Sequence, residues 1–271
     1  MEQKKLSAAK EETKKSFGSR LSFGCYRIIR GAVKRFYPKS RIEGLSNLPD
    51  GTCIIVGNHA RMNGPILSEL YFPGDRAIWT AGEMFRLKDV PAYAFQDFWS
   101  GKPKWTHPFY RVLSYLIAPL AVCIFNHAHT IPVYHDARSL STFRTTVARL
   151  TDGARVIIFP EHAVPHDHIV NAFQEKFVEI ARLYHKRTGK RLAFVPMYVA
   201  PALHACYLGE PVYHDPTAPK EKEDHRIASV MMDRIRQLAE SLPLHRVVPY
   251  DNAVKKQDYP KNRPEKFHPD S

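Results

Sequence analysis

Two short apolar runs, each ending in a polar side chain, constrain this chain most. The first run covers residues 52–57 and leads directly into Asn58 and His59. The second covers residues 156–159, and Glu161 follows its end. In α/β proteins the ends of strands carry the chemistry, because the sheet fixes the position while the following loop is free to vary. The pattern therefore predicts two strand ends at which His59 and Glu161 face one pocket.

Segments with strand-like and helix-like patterns alternate along the rest of the chain. Between residues 140 and 150, apolar side chains recur at the spacing of one helix face, and Gly153 supplies a stop. Residues 192–199 have the pattern of a buried strand, and a long helix after it ends at Pro243. This alternation predicts an α/β fold, with a mostly parallel or mixed central sheet covered by helices, in one domain over residues 39–250.

The chain is strongly basic, with a formal net charge of +13 over 271 residues. Such a balance indicates anionic partners, which include nucleic acid, lipid headgroups and acidic acyl donors. The sequence has no zinc-finger spacing and no aromatic RNA-binding signature, so an anionic lipid surface is favoured over nucleic acid. The cysteines are far apart in apolar contexts, which predicts buried thiols in a reducing compartment rather than a disulfide framework. They are Cys25, Cys53, Cys123 and Cys206.

Both ends of the chain are rich in charge. Residues 1–15 predict a flexible tail without a secretory segment, and residues 251–271 predict a second, basic flexible tail. Residues 16–38 place apolar side chains at helical spacing among arginines, and Pro38 stops this run. Such a basic amphipathic helix can lie in a lipid headgroup layer, or it can pack on the domain with its arginines in water.

An aromatic-rich segment, residues 83–126, separates two of the predicted strands. Its longest apolar run, residues 112–125, contains Pro119 and falls short of the roughly 18 residues that span a bilayer. We therefore expect no transmembrane helix. The run predicts either an ordinary core helix or an apolar insert that dips into a membrane or shelters an acyl chain. Together with the charge, this pattern predicts a peripheral protein on the cytoplasmic face of a membrane.

Four short sequence blocks occur in an order that resembles the glycerolphosphate and lysophosphatidic acid (1-acylglycerol-3-phosphate) acyltransferase family. They are Gly57-Asn58-His59, Ile131-Pro132-Val133, Phe159-Pro160-Glu161 and Val195-Pro196-Met197. The resemblance covers roughly residues 40 to 200. It implies transfer of a fatty acyl group from a thioester donor, acyl-CoA or acyl carrier protein, to a lysophospholipid-like or glycolipid alcohol, without a further cofactor. It also implies that His59 is the catalytic base that takes the hydroxyl proton of the acceptor.

The same blocks depart from the family pattern at several positions. The aspartate expected five residues after the histidine is Gly64, so the imidazole lacks its usual partner. The arginines expected in the second and third blocks are His135 and Val164. A group that orients His59 would have to come from elsewhere, and the candidates are Asn63, Asp136 and Asp167, or Glu161 itself. The motif is therefore degenerate.

Substrate-binding candidates follow from the same blocks. They are Asn58, Arg61, Gly64, His135, Arg138, Phe159, Pro160, Glu161 and His162. Arg61 and Arg138 could supply the positive charge that Val164 lacks, because a guanidinium matches phosphate geometry and valine does not. Otherwise the acceptor would be a sugar-headed or modified lysolipid. Glu161 either positions substrate or caps a nearby helix.

Two other functions stay open at this point. A protein of this fold could bind lipid or an acyl carrier without turnover, which the departure at Gly64 favours. A cluster of His162, His166 and His168 beside Asp167 could instead ligate zinc in a metal-dependent hydrolase, although Pro165 disfavours helical spacing there. We expect no metal site.

Overall fold

The structure is a computed structural model that describes residues 22–263. Its described residues form two compact units. One unit contains residues 22–38 and 82–130, and the other contains residues 39–81 and 131–263. The single domain predicted over residues 39–250 is therefore divided, because residues 82–130 group with the N-terminal helix.

The larger unit is built on an eight-stranded sheet. Its strands follow the spatial order β1-β9-β8-β2-β5-β3-β4, and β10 pairs with β8. The neighbours β8, β2, β5 and β3 run parallel, whereas β9 runs antiparallel to β8. The bounds are β1 (Arg41–Glu43), β2 (Ile54–Gly57), β3 (Arg76–Ala81), β4 (Thr130–Val133), β5 (Arg155–Ile158), β8 (Ala193–Ala200), β9 (Ala205–Leu208) and β10 (Val212–Tyr213). Two further strands, β6 (Glu161–Pro165) and β7 (Asn171–Phe173), form a separate antiparallel pair.

Helices cover both faces of this sheet. They are α2 (Asn63–Tyr71), α5 (Ser139–Thr151), α6 (Glu179–Thr188) and α7 (Lys220–Ser241). Successive side chains of a strand point to opposite faces. Ile54 accordingly packs in the same buried cluster as Ile180 of α6 and Ile227 of α7, whereas Ile55 packs with Leu67 of α2. The predicted α/β class, with a mostly parallel central sheet covered by helices, is confirmed.

The smaller unit is helical. Its helices are α1 (residues 22–36), α3 (Val90–Ala94) and α4 (His107–His127). Ser22 and His127 join α1 to the end of α4 through a hydrogen bond of 2.7 Å between Oγ and Nε2. The residues before 22, which include the predicted tail and the start of the predicted amphipathic helix, lie outside the described part of the chain.

Helix α4 is longer and more exposed than the sequence suggests. With the turn before it, the helical stretch Lys104–His127 has 24 residues. It contains an 18-residue window with a mean hydropathy of 1.6, and only 17% of that window is buried. By length and composition it could cross a membrane, contrary to our expectation of no such segment. The sequence-based expectation was wrong because Pro119 lies inside the helix without ending it. The low burial also argues against an ordinary core helix.

Residues 251–263 are packed on the larger unit and do not extend away as a tail. Arg246 forms an isolated bridge with Lys261, and Asn262 is wholly buried. The Asn262 side chain donates a 2.7 Å hydrogen bond to the carbonyl of Ala239 and accepts one of 3.0 Å from the backbone N–H of His245. It thereby satisfies a carbonyl at the C-terminal end of α7. The last residues, 264–271, lie outside the described range.

Candidate active site

The pairing of β2 with β5 brings His59 and Glu161 together. The two strands are parallel, and Val56 lies opposite Ile158 in their register. Three residues beyond this pair the chain reaches His59 after β2 and Glu161 after β5, so both residues lie at the same edge of the sheet. There the backbone N–H of His59 donates a hydrogen bond to Oε2 of Glu161. The two strand ends therefore meet, but through the backbone of His59.

Glu161 is a buried carboxylate that ties three segments together. Its second oxygen, Oε1, accepts a 2.9 Å hydrogen bond from the backbone N–H of Asn171, the first residue of β7. Burial raises the pKa of Glu161 to about 7, while the two N–H donors lower it and the charge of Asp167 adds to the increase. Through its two backbone contacts Glu161 positions the loop that carries His59, and its raised pKa favours protonation at a higher pH than for a free carboxyl group.

The imidazole of His59 has aromatic neighbours. The ring of Phe159 lies edge-on with centroids 5.5 Å apart, and that of Tyr250 lies edge-on at 5.8 Å. Burial lowers the pKa of His59 to about 4, against the opposing effect of a hydrogen bond with the backbone of Arg61. No carboxylate of the described residues contributes to that shift. The imidazole is therefore neutral at pH 7 and has a lone pair available for a proton.

Phe159 also fills the space beside Gly64. A Cβ atom built on Gly64 would lie 2.6 Å from Cε1 of Phe159 and 2.9 Å from the carbonyl oxygen of His59. Both distances are far below van der Waals contact. No side chain, including an aspartate, fits at this position unless both Phe159 and the backbone carbonyl of His59 shift. The departure from the family motif is therefore built into the packing around His59.

The side chain of Asn58 pairs with β8, the strand on the side of β2 opposite to β5. Its side chain is 1% exposed, and its Oδ1 accepts a 2.6 Å hydrogen bond from the backbone N–H of Val199. Its Nδ2 donates one of 3.2 Å to the carbonyl of the same residue. Asn58 thus extends the pairing of β2 and β8 by one residue through its side chain. The structure places it in the sheet, away from any open surface.

The two aspartates proposed to orient His59 are engaged elsewhere. Asp136 is exposed and accepts hydrogen bonds of 3.0 Å and 2.7 Å from Nε and Nη2 of Arg138. Asp167 accepts two backbone N–H groups from its own loop and forms an ion pair of 2.7 Å with Arg236. The third candidate, Asn63, donates a 2.8 Å hydrogen bond from Nδ2 to the carbonyl of Ala60.

The loop after His59 has an unusual backbone. Ala60 and Arg61 have φ angles of 46° and 58°, in the left-handed region that non-glycine residues seldom adopt. This conformation turns the side chain of Arg61 toward the C-terminal segment, where its Nη2 donates to the carbonyls of Asp251, Asn252 and Val254. Arg61 is thus near the site, but it contacts the chain's own backbone.

The remaining substrate-binding candidates lie at varied depths. His135 is exposed, and the guanidinium of Arg138 stacks 4.0 Å from the ring centre of Tyr134. Pro160 is buried, and His162 is half-buried, with Nδ1 accepting a weak 3.4 Å contact from the N–H of Val164. Across residues 22–263, no group of three or more His, Cys, Asp or Glu side chains could hold a metal ion. The predicted histidine cluster therefore does not converge on a metal site.

Tyr250 is the site residue that sequence reasoning missed. It lies far from both motif blocks in the chain and is flanked by Pro249 and Asp251, a context typical of a loop. Its contact with His59 depends on how the chain returns after α7, which local patterns do not specify. Asn171 escaped notice for the same reason, because it acts through its backbone N–H.

Comparison with known proteins gives a similarity at the level of the fold. No protein-family model matches this chain. No curated protein matches it either. Among solved structures, the chain is similar to the crystal structure of the 1-acyl-sn-glycerophosphate (LPA) acyltransferase PlsC from Thermotoga maritima. The two share 16% sequence identity with a TM-score of 0.48, over 86% of this chain and 84% of the other.

Proposed function

We propose that this protein is a membrane-associated O-acyltransferase. It would move a fatty acyl group from a thioester donor, acyl-CoA or acyl carrier protein, to a lysophospholipid-like or glycolipid alcohol. The observation that carries the proposal is the junction of β2 and β5, where a neutral imidazole and a buried carboxylate share one sheet edge. The order of the motif blocks, which resembles the glycerolipid acyltransferase family, supplies the reaction class.

The chemistry needs a base, and His59 would be that base. Its neutral ring takes the proton of the acceptor hydroxyl as the oxygen attacks the thioester carbonyl. A carbon–oxygen bond forms, the carbon–sulfur bond breaks, and the imidazolium returns its proton to the thiolate that leaves. Glu161 holds the His59 backbone through the amide N–H and so fixes the position of the ring.

The turnover of such a site is expected to be low. In the serine protease triad, where a carboxylate orients the catalytic imidazole, disabling that carboxylate lowers turnover about ten-thousand-fold. Here the ring has a backbone partner at Arg61, which can select one tautomer but carries no charge to stabilise an imidazolium. The low pKa of about 4 also weakens His59 as a base.

The chain has the surfaces that a lipid-facing enzyme requires. The exposed side chains of Phe109, Val112, Leu116 and Leu120 follow one another at helical spacing along α4. On α1, Ile28 and Phe36 are exposed near arginine side chains. With a net charge of +13, these apolar surfaces favour an anionic membrane as the partner, on the cytoplasmic face where such lipids and basic segments meet.

A second function is favoured by the packing at Gly64. Because Phe159 occupies the space in which an orienting carboxylate would lie, the same fold could bind lipid or an acyl carrier without turnover. This alternative shares the fold and the membrane surface with the first. It differs only in whether the thioester is cleaved.

A thioester-release assay separates the two functions. Purified protein is mixed with acyl-CoA or acyl carrier protein and a panel of lysolipid acceptors in anionic vesicles. We expect acceptor-dependent thiol release that His59→Ala abolishes, while His225→Ala, an exposed histidine on α7, leaves it unchanged. Saturable lipid binding without thiol release on any acceptor would replace the enzyme with the binding protein. Release that survives His59→Ala would remove His59 from the mechanism.

A further inference from the structure

Arg61 is a half-buried charged side chain two residues after His59. Among the described residues no carboxylate forms an ion pair with it. Its Nε is buried and makes no hydrogen bond, and its Nη2 donates to neutral carbonyls only. A buried guanidinium nitrogen normally requires a hydrogen-bond acceptor, and an anion is the strongest acceptor for it. The arrangement is therefore one that an anionic group would complete.

The carbonyls that hold Arg61 belong to a segment that also contacts His59. We call residues 250–254 the strap. Its first residue, Tyr250, places its ring 5.8 Å from the imidazole of His59. The next carbonyls, those of Asp251, Asn252 and Val254, lie 3.3, 3.1 and 2.5 Å from Nη2 of Arg61. One guanidinium nitrogen thus fastens the strap beside the candidate base.

The backbone at Arg61 is strained in a way that suits a switch. Two successive non-glycine residues, Ala60 and Arg61, occupy the left-handed region, which costs of the order of 1–3 kcal/mol each. Such strain persists only where surrounding contacts hold it. Here the contacts of the Arg61 side chain with the strap and with the ring of Tyr259, 5.2 Å away, are available to hold it.

We propose that Arg61 is a phosphate-responsive latch: a phosphate group of a substrate takes its guanidinium from the strap carbonyls and so releases the strap beside His59. Hydrogen bonds from a guanidinium to a charged phosphate oxygen are roughly twice as strong as those to a neutral acceptor, and they are often bidentate. The exchange is therefore favourable, and the buried Nε gains a partner. This inference rests on the proposed function, because it assigns the substrate class of the same site.

The phosphate could belong to the acceptor lipid or to the thioester donor. A phosphomonoester headgroup and the phosphates of coenzyme A present the same chemistry to Arg61. The two sources are distinguished by pairs of ligands that differ in phosphate. Lysophosphatidic acid is compared with monoacylglycerol in the same detergent micelles, and coenzyme A is compared with pantetheine in solution.

The test measures hydrogen–deuterium exchange of the strap amides in the whole protein. We expect lysophosphatidic acid or coenzyme A to speed exchange over residues 250–254 by about tenfold, because a strap released from Arg61 opens more often, while its phosphate-free counterpart does not. Arg61→Gln should show the faster exchange without ligand and no further response. The matched control is Arg246→Gln, since Arg246 donates to the carbonyls of Lys256 and Gln257 but leaves Arg61 in place.

Each outcome decides the proposal without reference to catalysis. Unchanged strap exchange with saturating phosphate ligands overturns it, even if Arg61→Gln fails to fold. A response that persists in Arg61→Gln, or that phosphate-free ligands also produce, overturns it as well. A response specific to lysophosphatidic acid assigns the latch to the acceptor, and one specific to coenzyme A assigns it to the donor. An inactive protein that shows the response would retain the latch and lose the proposed enzyme.

Discussion

At the residue scale, the surroundings of His59 explain how the site departs from its motif. The ring is bounded by Phe159 and Tyr250, and its partner at Arg61 is a backbone group. Glu161, the carboxylate at the end of the neighbouring strand, binds the His59 amide instead of the ring. Glycine at position 64 is then required by packing, since Phe159 occupies the adjacent space.

This packing predicts the result of Gly64→Ala. The added methyl group would meet Cε1 of Phe159 at 2.6 Å, so we expect a loss of about 1–3 kcal/mol in the free energy of unfolding, as for other overpacked sites. Urea denaturation measures this loss. Phe159→Leu removes the clashing ring atoms but leaves the carbonyl oxygen of His59 at 2.9 Å, so the double variant should recover part of the loss that Gly64→Ala causes alone. Additive effects in the double-mutant cycle would show that the two residues do not share this space.

The pKa values of Glu161 and His59 predict how stability depends on pH. Glu161 has a pKa of about 7 in the folded state against an ordinary value of 4.5, so the folded state binds more protons between these values. Its contribution to stability is complete below pH 4.5 and is lost as pH rises through about 7. His59 behaves oppositely: its contribution is present above pH 6.5 and is lost as pH falls through about 4.

Glu161→Gln should therefore make stability rise with pH. Between pH 4.5 and 6.5 the opposing contributions of Glu161 and His59 nearly cancel in the native chain, so we expect its free energy of unfolding to change little. The free energy of unfolding of the variant should increase over this range, because glutamine does not ionise and only the His59 contribution is left. Denaturation with urea across this range provides the measurement. Asp136→Asn, which alters an exposed carboxylate, is the control and should follow the pH dependence of the native chain. The same slope in Glu161→Gln and in the native chain would contradict the assignment.

At the element scale, the position of α4 in the chain restricts how it can meet a membrane. Its preceding and following segments lead from β3 and into β4, which are neighbours in one sheet. A single crossing would place these two strands on opposite sides of the bilayer, and the described residues contain no second candidate span. The helix is therefore expected to lie in the interface or to dip and return, in agreement with peripheral attachment.

If α4 lies in the membrane interface, Leu116→Asp should lower the affinity of the protein for membranes. Leu116 is 70% exposed on the apolar stripe of α4, and burying a leucine in lipid is favourable by about 1.5–3 kcal/mol. We expect affinity for anionic vesicles, measured by flotation, to fall at least about tenfold. Leu140→Asp provides the control, because Leu140 is 53% exposed on α5 of the other unit. Equal losses in the two variants would argue for a nonspecific effect of the added charge.

At the scale of the whole molecule, the chain inserts one helical unit between two adjacent strands of a sheet. Residues 82–130 leave after β3 and return at β4, and the sheet continues across that junction. The sequence predicted the α/β class because apolar strands and amphipathic helices alternate in it. It did not predict the division into two units, because a long apolar helix has the same local pattern whether it is buried or exposed.

Local sequence likewise accounts for only part of the candidate site. The sequence by itself determined that His59 and Glu161 each follow a buried strand, since the apolar runs and the polar residues after them are local properties. Only the tertiary structure decided that Glu161 binds a backbone amide, that Phe159 fills the space beside Gly64, and that Tyr250 contacts the imidazole. These contacts join residues about a hundred or more positions apart, and chain packing, which no local pattern encodes, selects them.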